Sequence, residues 1–105
     1  MRNTSNQKIT DGEHGVNWVE IIQLRSYRFI PETLRELKQT IVENEQIEGL
    51  KTFEIYHNAS VETDTGIHIH WKTSEDRIKR SSLGLRIALA LKDFGHVYHT
   101  IWVED

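Results

Sequence analysis

The chain has 105 residues, 37% of them apolar, and 13 basic against 16 acidic residues give it a net charge of −3. One domain fits that length, and the charge argues against a nucleic-acid or anionic-membrane binder. No apolar run nears spanning length, no hydrophobic signal core opens the chain, and the absence of cysteine removes disulfides, thiolate catalysis and cysteine-held metals; a cytoplasmic protein is expected.

Residues 1–16 carry few apolar side chains (Met1, Ile9 and Val16) and no periodicity, which predicts a flexible N-terminal arm. Residues 17–105 then form the single domain. Asn17 to Tyr27 is rich in Val, Ile and aromatic residues and reads as a strand. Trp18, Ile22 and Leu24 fall on one parity and Val19 and Ile21 on the other, so both faces need cover.

Pro31 opens a helix, with Glu32 in its first turn. Leu34, Leu37, Ile41 and Val42 make its apolar stripe, and Gly49 suits the turn that follows. Leu50 to His57 and Thr65 to Thr73 alternate as a hairpin around the polar loop 58–64. Symmetric closure pairs Ile55 with Ile67, Phe53 with Ile69 and Lys51 with Trp71 on one face. Glu54 with His68, and Thr52 with His70, fall on the other.

Asp76 to Arg80 is a short charged run that reads as a solvated approach to the next helix. Ser81 or Ser82 caps that helix, which is expected to reach about Phe94. Leu83, Ile87, Ala90, Leu91 and Phe94 form its main stripe, and Leu85, Ala88 and Leu89 widen the apolar surface. His96 to Val103 is the last strand, with Val97, His99, Ile101 and Val103 on one side.

This order is β-α-β-β-α-β, an α+β, ferredoxin-like arrangement. It predicts a four-stranded antiparallel sheet with two helices on one face. A domain this small buries only about 65% of its unfolded surface. Its first and last strands are apolar on both sides, so a second copy is expected over the open face.

Three stretches, PETLRELKQTIVENEQIEGLKTFEIYHN, HWKTSED and SSLGLRIALALKDFGHVYHTIWVED, resemble the antibiotic biosynthesis monooxygenase-like family of dimeric α+β barrels. The likeness runs from about Trp18 to Glu104 and rests on layout more than on fixed chemistry. It implies a homodimer with a shared barrel and a pocket between each sheet and its helices. Activities in the family include cofactor-free oxygenation of phenolic or quinol-type molecules and haem degradation, and many members have no known activity. Trp71 matches the pocket-bordering tryptophan that ends the third strand, and Asn17 stands near a contributing asparagine. The haem degraders need an iron-ligating histidine on the second helix; the span from Ser81 to Phe94 has none.

Six histidines invite acid–base or metal chemistry. His68-Ile69-His70 points two imidazoles to one side of a strand, and a metal would need a third ligand from Glu54, Glu20 or a partner copy. The preferred reading is a polar network at the dimer interface, made by His68 and His70 with Glu54, Glu20 or Thr52. His99 lies between apolar neighbours and is the candidate general base if its face lines the pocket. Trp71, Asn17, Phe53 and His57 are the candidate substrate contacts. His14 and His96 are expected at the surface. No metal or other cofactor is expected.

Two functions remain open. One is a cofactor-free oxygenase acting on a small aromatic molecule, with His99 taking a phenolic proton. The other is a non-catalytic ligand-binding or interaction module on the same dimer.

Overall fold

Strand β1, Val16–Ser26, lies in the middle of the molecule because its apolar residues fill both parities. The computed structural model describes residues 15–28, 30–44 and 46–105, the side chains of 42–44 excepted. Most of the expected arm, with His14, therefore lies outside the described residues. Val16, placed in that arm by its sequence, already belongs to β1.

Helix α1 is Pro31–Asn44, strand β2 is Leu50–His57 and strand β3 is Asp64–Thr73. Helix α2 is Ser82–Leu91 and strand β4 is Gly95–Val103. One antiparallel sheet has the order β2-β3-β1-β4, so the α+β, ferredoxin-like expectation holds. Among the described residues no helix is long and apolar enough to cross a membrane.

Directly paired residues share a face of the sheet. On one face, Trp18, Ile22 and Leu24 of β1 line up with Trp71, Ile67 and Thr65 of β3. The same β1 residues sit across from Val103, His99 and Val97 of β4. The helices pack here: Leu34 and Ile41 from α1 and Leu83, Ile87 and Leu91 from α2 join these strands in one buried cluster. Each such side chain contributes about 1.5–3 kcal/mol by leaving water.

The open face carries Val19, Ile21, His68, His70, Tyr98 and Trp102. The hairpin register is as expected at four pairs: Ile55↔Ile67, Phe53↔Ile69, Glu54↔His68 and Thr52↔His70. It differs at the fifth. Leu50, not Lys51, pairs with Trp71, because the ladder shifts between Leu50 and Thr52. A bulge sets Lys51 outside the ladder and brings the leucine to the core side. Gly49 makes the preceding turn at φ +87°, a conformation costly for other residues, and its carbonyl accepts from Lys72 N–H at 2.8 Å.

Helix α2 is shorter than its apolar pattern suggests. It stops at Leu91, and Lys92–Phe94 continues as one 3₁₀ turn. Ala90, expected in the stripe, is exposed, as are Leu85 and Leu89. Their positions turn away from the line defined by Leu83, Ile87 and Leu91.

Candidate functional site

Glu20 is the least expected residue of the core: a carboxylate with 0% exposure among isoleucines and tryptophans. Its parity is that of Trp18 and Ile22, so the strand aims it at the helices. A buried carboxylate needs donors, and four converge on this one. Trp71 Nε1 donates to Oε1 at 3.1 Å and Ser81 Oγ donates to Oε1 at 2.6 Å. Ser81 N donates to Oε2 at 3.0 Å, and His99 Nε2 lies 2.5 Å from Oε2. With three donors already aimed at these oxygens, the His99 contact completes the set as a donor from Nε2. In a neutral imidazole that leaves Nδ1 as the acceptor.

Helix α2 is built around this carboxylate. Ser81 caps the helix, its hydroxyl accepting from Gly84 N at 2.8 Å. Gly84 lets the helix come close: a Cβ there would lie 2.0 Å from Glu20 Oε2. Negative charge at a helix start is also favoured by the aligned peptide dipoles. Glu20 thus joins β1, β3, β4 and the start of α2 through one side chain.

Trp71 connects this cluster to the surface. Its ring stacks on Trp18 at 5.6 Å and 19°, and Trp18 Nε1 donates to Thr73 Oγ1 at 2.9 Å. Both indoles are buried and anchored through nitrogen. Both residues border a hollow of about 490 Å³ whose other walls include Asn17, His70 and Trp102. Trp102 is 60% exposed. A second hollow, about 400 Å³, meets Trp71 from the side of α2.

The residues singled out from the sequence are distributed as follows. Trp71 and Asn17 line one hollow, and Trp71 reaches His99 through Glu20. Asn17 itself is exposed and donates to Glu104 Oε1 at 2.8 Å. His99 lines neither hollow that borders Trp71. Phe53 is buried in the core. His57 is exposed at the other end of the sheet, against a hollow of about 340 Å³ shared with Tyr56 and Tyr98.

His68, His70 and Glu54 lie together on the open face. Within one chain, Glu54 pairs with Lys38 at 3.6 Å. His68 contacts the Tyr56 ring edge-on at 4.8 Å and faces His70 at 6.3 Å. Partial burial, and then the neighbouring His70, push the His68 imidazole below its ordinary value.

Glu20 cannot join that group. It pairs with Ile69, one residue out of phase with His68 and His70, and therefore faces the opposite side. The expectation that it would serve these histidines as a partner or third metal ligand is overturned by this register. Among the described residues, no group of three metal-ligating side chains is placed to hold an ion. The true partner of Glu20 is His99. What the sequence did signal was the burial of Glu20, as one carboxylate within the stripe of Trp18, Ile22 and Leu24.

The arrangement limits the chemistry. The hydroxyl of Ser81 donates to the carboxylate and not to the imidazole, so the direct serine–histidine contact of a histidine-activated nucleophile is not formed. A carboxylate holding one nitrogen of a histidine is, by contrast, a known way to orient a general base.

No family model matches the chain, and no curated protein matches it. Among solved structures, the crystal structure of a conserved protein from Methanosarcina mazei Go1 is similar, with a TM-score of 0.59 and 18% identity over 86% of this chain and 94% of that one. At that identity the likeness shows the shared α+β sheet fold. Membership of the antibiotic biosynthesis monooxygenase-like family is not shown by it.

Proposed function

We propose that the chain is a small-ligand-binding protein that works as a homodimer, holding a flat aromatic molecule in its tryptophan-lined hollow. The observation that carries this reading is the pinned pair Trp18 and Trp71, stacked and each anchored through Nε1. Rigid aromatic residues suit a flat ligand, since ordering costs are met before binding, and Asn17, Lys51, Thr52, His70 and Glu104 add polar groups around it. Val19, Thr52, His70 and Trp102 give the hollow an outer rim on the open face. A second copy packed sheet to sheet would close that rim. It would also cover Tyr56, Tyr98 and Trp102, which are each more than half exposed.

The catalytic reading, a cofactor-free oxygenase with His99 as base, draws on one observation, the 2.5 Å contact with Glu20. It requires a phenolic oxygen within hydrogen-bond reach of Nδ1. A molecule in the tryptophan hollow is separated from His99 by Trp71 and Glu20, so binding is the better-supported function.

The test combines sedimentation with calorimetric titration of 2-naphthol, followed by oxygen uptake with a naphthoquinol. The expected outcome is a two-chain particle and saturable binding, weakened about tenfold in Trp102→Ala by loss of one aromatic contact. A monomer with no saturable binding would overturn the proposal. Oxygen uptake that disappears in His99→Asn would replace it with the catalytic reading.

A further inference from the structure

The charged run before α2 does more than approach the helix. With the first turns of α2 it surrounds the hollow of about 400 Å³, and four of the chain's 13 basic residues, Arg77, Lys79, Arg80 and Arg86, line it. Among the described residues no carboxylate lines this hollow, in a chain whose net charge is −3. Trp71 and Ile47 supply an apolar side.

The helix start itself is already engaged, since Ser81 N donates to Glu20 and Gly84 N to Ser81 Oγ. The positive character of the hollow therefore comes from side chains. Arg77 lies 4.0 Å from Glu48 at the rim, and Arg80 Nη2 donates to the His99 carbonyl at 3.3 Å. The second contact fixes one guanidinium against β4 while keeping its charge, because a carbonyl does not neutralise it. Glu20, just behind Ser81 and Trp71, is held by its own four donors.

We infer that this hollow binds a small molecule bearing a phosphate-type dianion, with the anion on the four cations and the rest of the molecule against Trp71 and Ile47. Guanidinium forks match phosphate oxygens in pairs, and more than one cation is needed to balance a double charge. The volume suits a small ligand. The four basic residues gather around one hollow instead of tracking along a surface, which distinguishes the site from a polyanion groove. The inference does not depend on occupation of the tryptophan hollow.

Titration calorimetry with phenyl phosphate, inorganic phosphate and phenol tests it, alongside the Trp71 indole N–H resonance. Phenyl phosphate is expected to bind saturably and more tightly than inorganic phosphate, to move the Trp71 signal, and to weaken with added salt. Phenol, lacking the dianion, is expected not to bind in this hollow and to leave the affinity for phenyl phosphate unchanged. The double variant Lys79→Gln/Arg86→Gln, with its fold checked by circular dichroism because Arg86 also makes a contact of its own, is expected to lose roughly tenfold to a hundredfold in affinity. Lys92→Gln, outside the hollow, is expected to lose none. Absence of saturable binding, an unmoved Trp71 signal, or equal affinity in the double variant would overturn the inference. So would tighter binding of a single-stranded oligonucleotide than of phenyl phosphate.

Discussion

The two faces of the sheet use the same residue types to opposite effect. On the core face, Glu20 and His99 meet at 2.5 Å, and the carboxylate also accepts from Trp71 and Ser81. On the open face, Glu54 sits across from His68, yet its carboxylate pairs with Lys38, and the histidine leans on Tyr56 and His70. The difference is depth. A carboxylate out of water must be met by donors held in place, so its neighbours become fixed. A half-exposed one keeps water as an alternative and can exchange partners. The first arrangement fastens elements together, and the second leaves a surface able to adapt to another molecule.

The sharpest way to break that contrast is to remove each carboxylate in turn. Glu20→Ala leaves the donors of Trp71, Ser81 and His99 buried without an acceptor. It is expected to cost about 3–5 kcal/mol, as when one partner of a buried pair is lost. Glu54→Ala is expected to stay within about 0.5 kcal/mol, as for a surface site. Urea denaturation of both variants measures the difference. Equal and small losses would mean that the core network contributes no more than the surface pair.

A smaller effect separates the two jobs of Ser81. Its hydroxyl caps α2 and also donates to Glu20. Ser81→Ala removes both contacts while the backbone N–H to Glu20 remains. A loss of about 1–2 kcal/mol is expected, at or above the usual cost of losing a cap. If Ser81→Ala costs as much in a Glu20→Ala background as alone, the hydroxyl acts only as a cap.

Much of this was legible from the chain itself. Element order, the hairpin register at four pairs and a serine cap at Ser81 or Ser82 follow from period, turn residues and capping chemistry, which are local. The bulge at Lys51 was not legible, because symmetric closure about a loop assumes an unbroken ladder. The partner of Glu20 was not legible either. It depends on how β1 pairs with β3 and β4, and those contacts join residues 51 to 79 positions apart. Alternation says that Glu20 shares a face with Trp18, but not which histidine arrives there. Three of the four cations around the second hollow were visible as a charged run, read as a solvated helix approach, and Arg86 was not singled out. Only the fold shows that they enclose a space.

The smallest expected effect lies on the open face and concerns pH. His68 is held below its ordinary value of 6.5, first by burial and then by His70. Glu54 and Tyr56 face it from β2, and His70 lies on its own strand. A depressed histidine means that the unfolded chain binds more protons than the folded one, so stability rises with pH across the interval. The full contribution is present above 6.5 and is lost as pH falls through the folded value. Thermal unfolding followed from pH 7.5 to 5 should therefore show a gentle fall in Tm that His68→Asn flattens, because asparagine keeps polar atoms but has no proton to gain. An unchanged slope in His68→Asn would place the acid sensitivity elsewhere. The same substitution also reports on association. If a second copy covers the open face, it desolvates His68 further, and the flattening should grow with protein concentration.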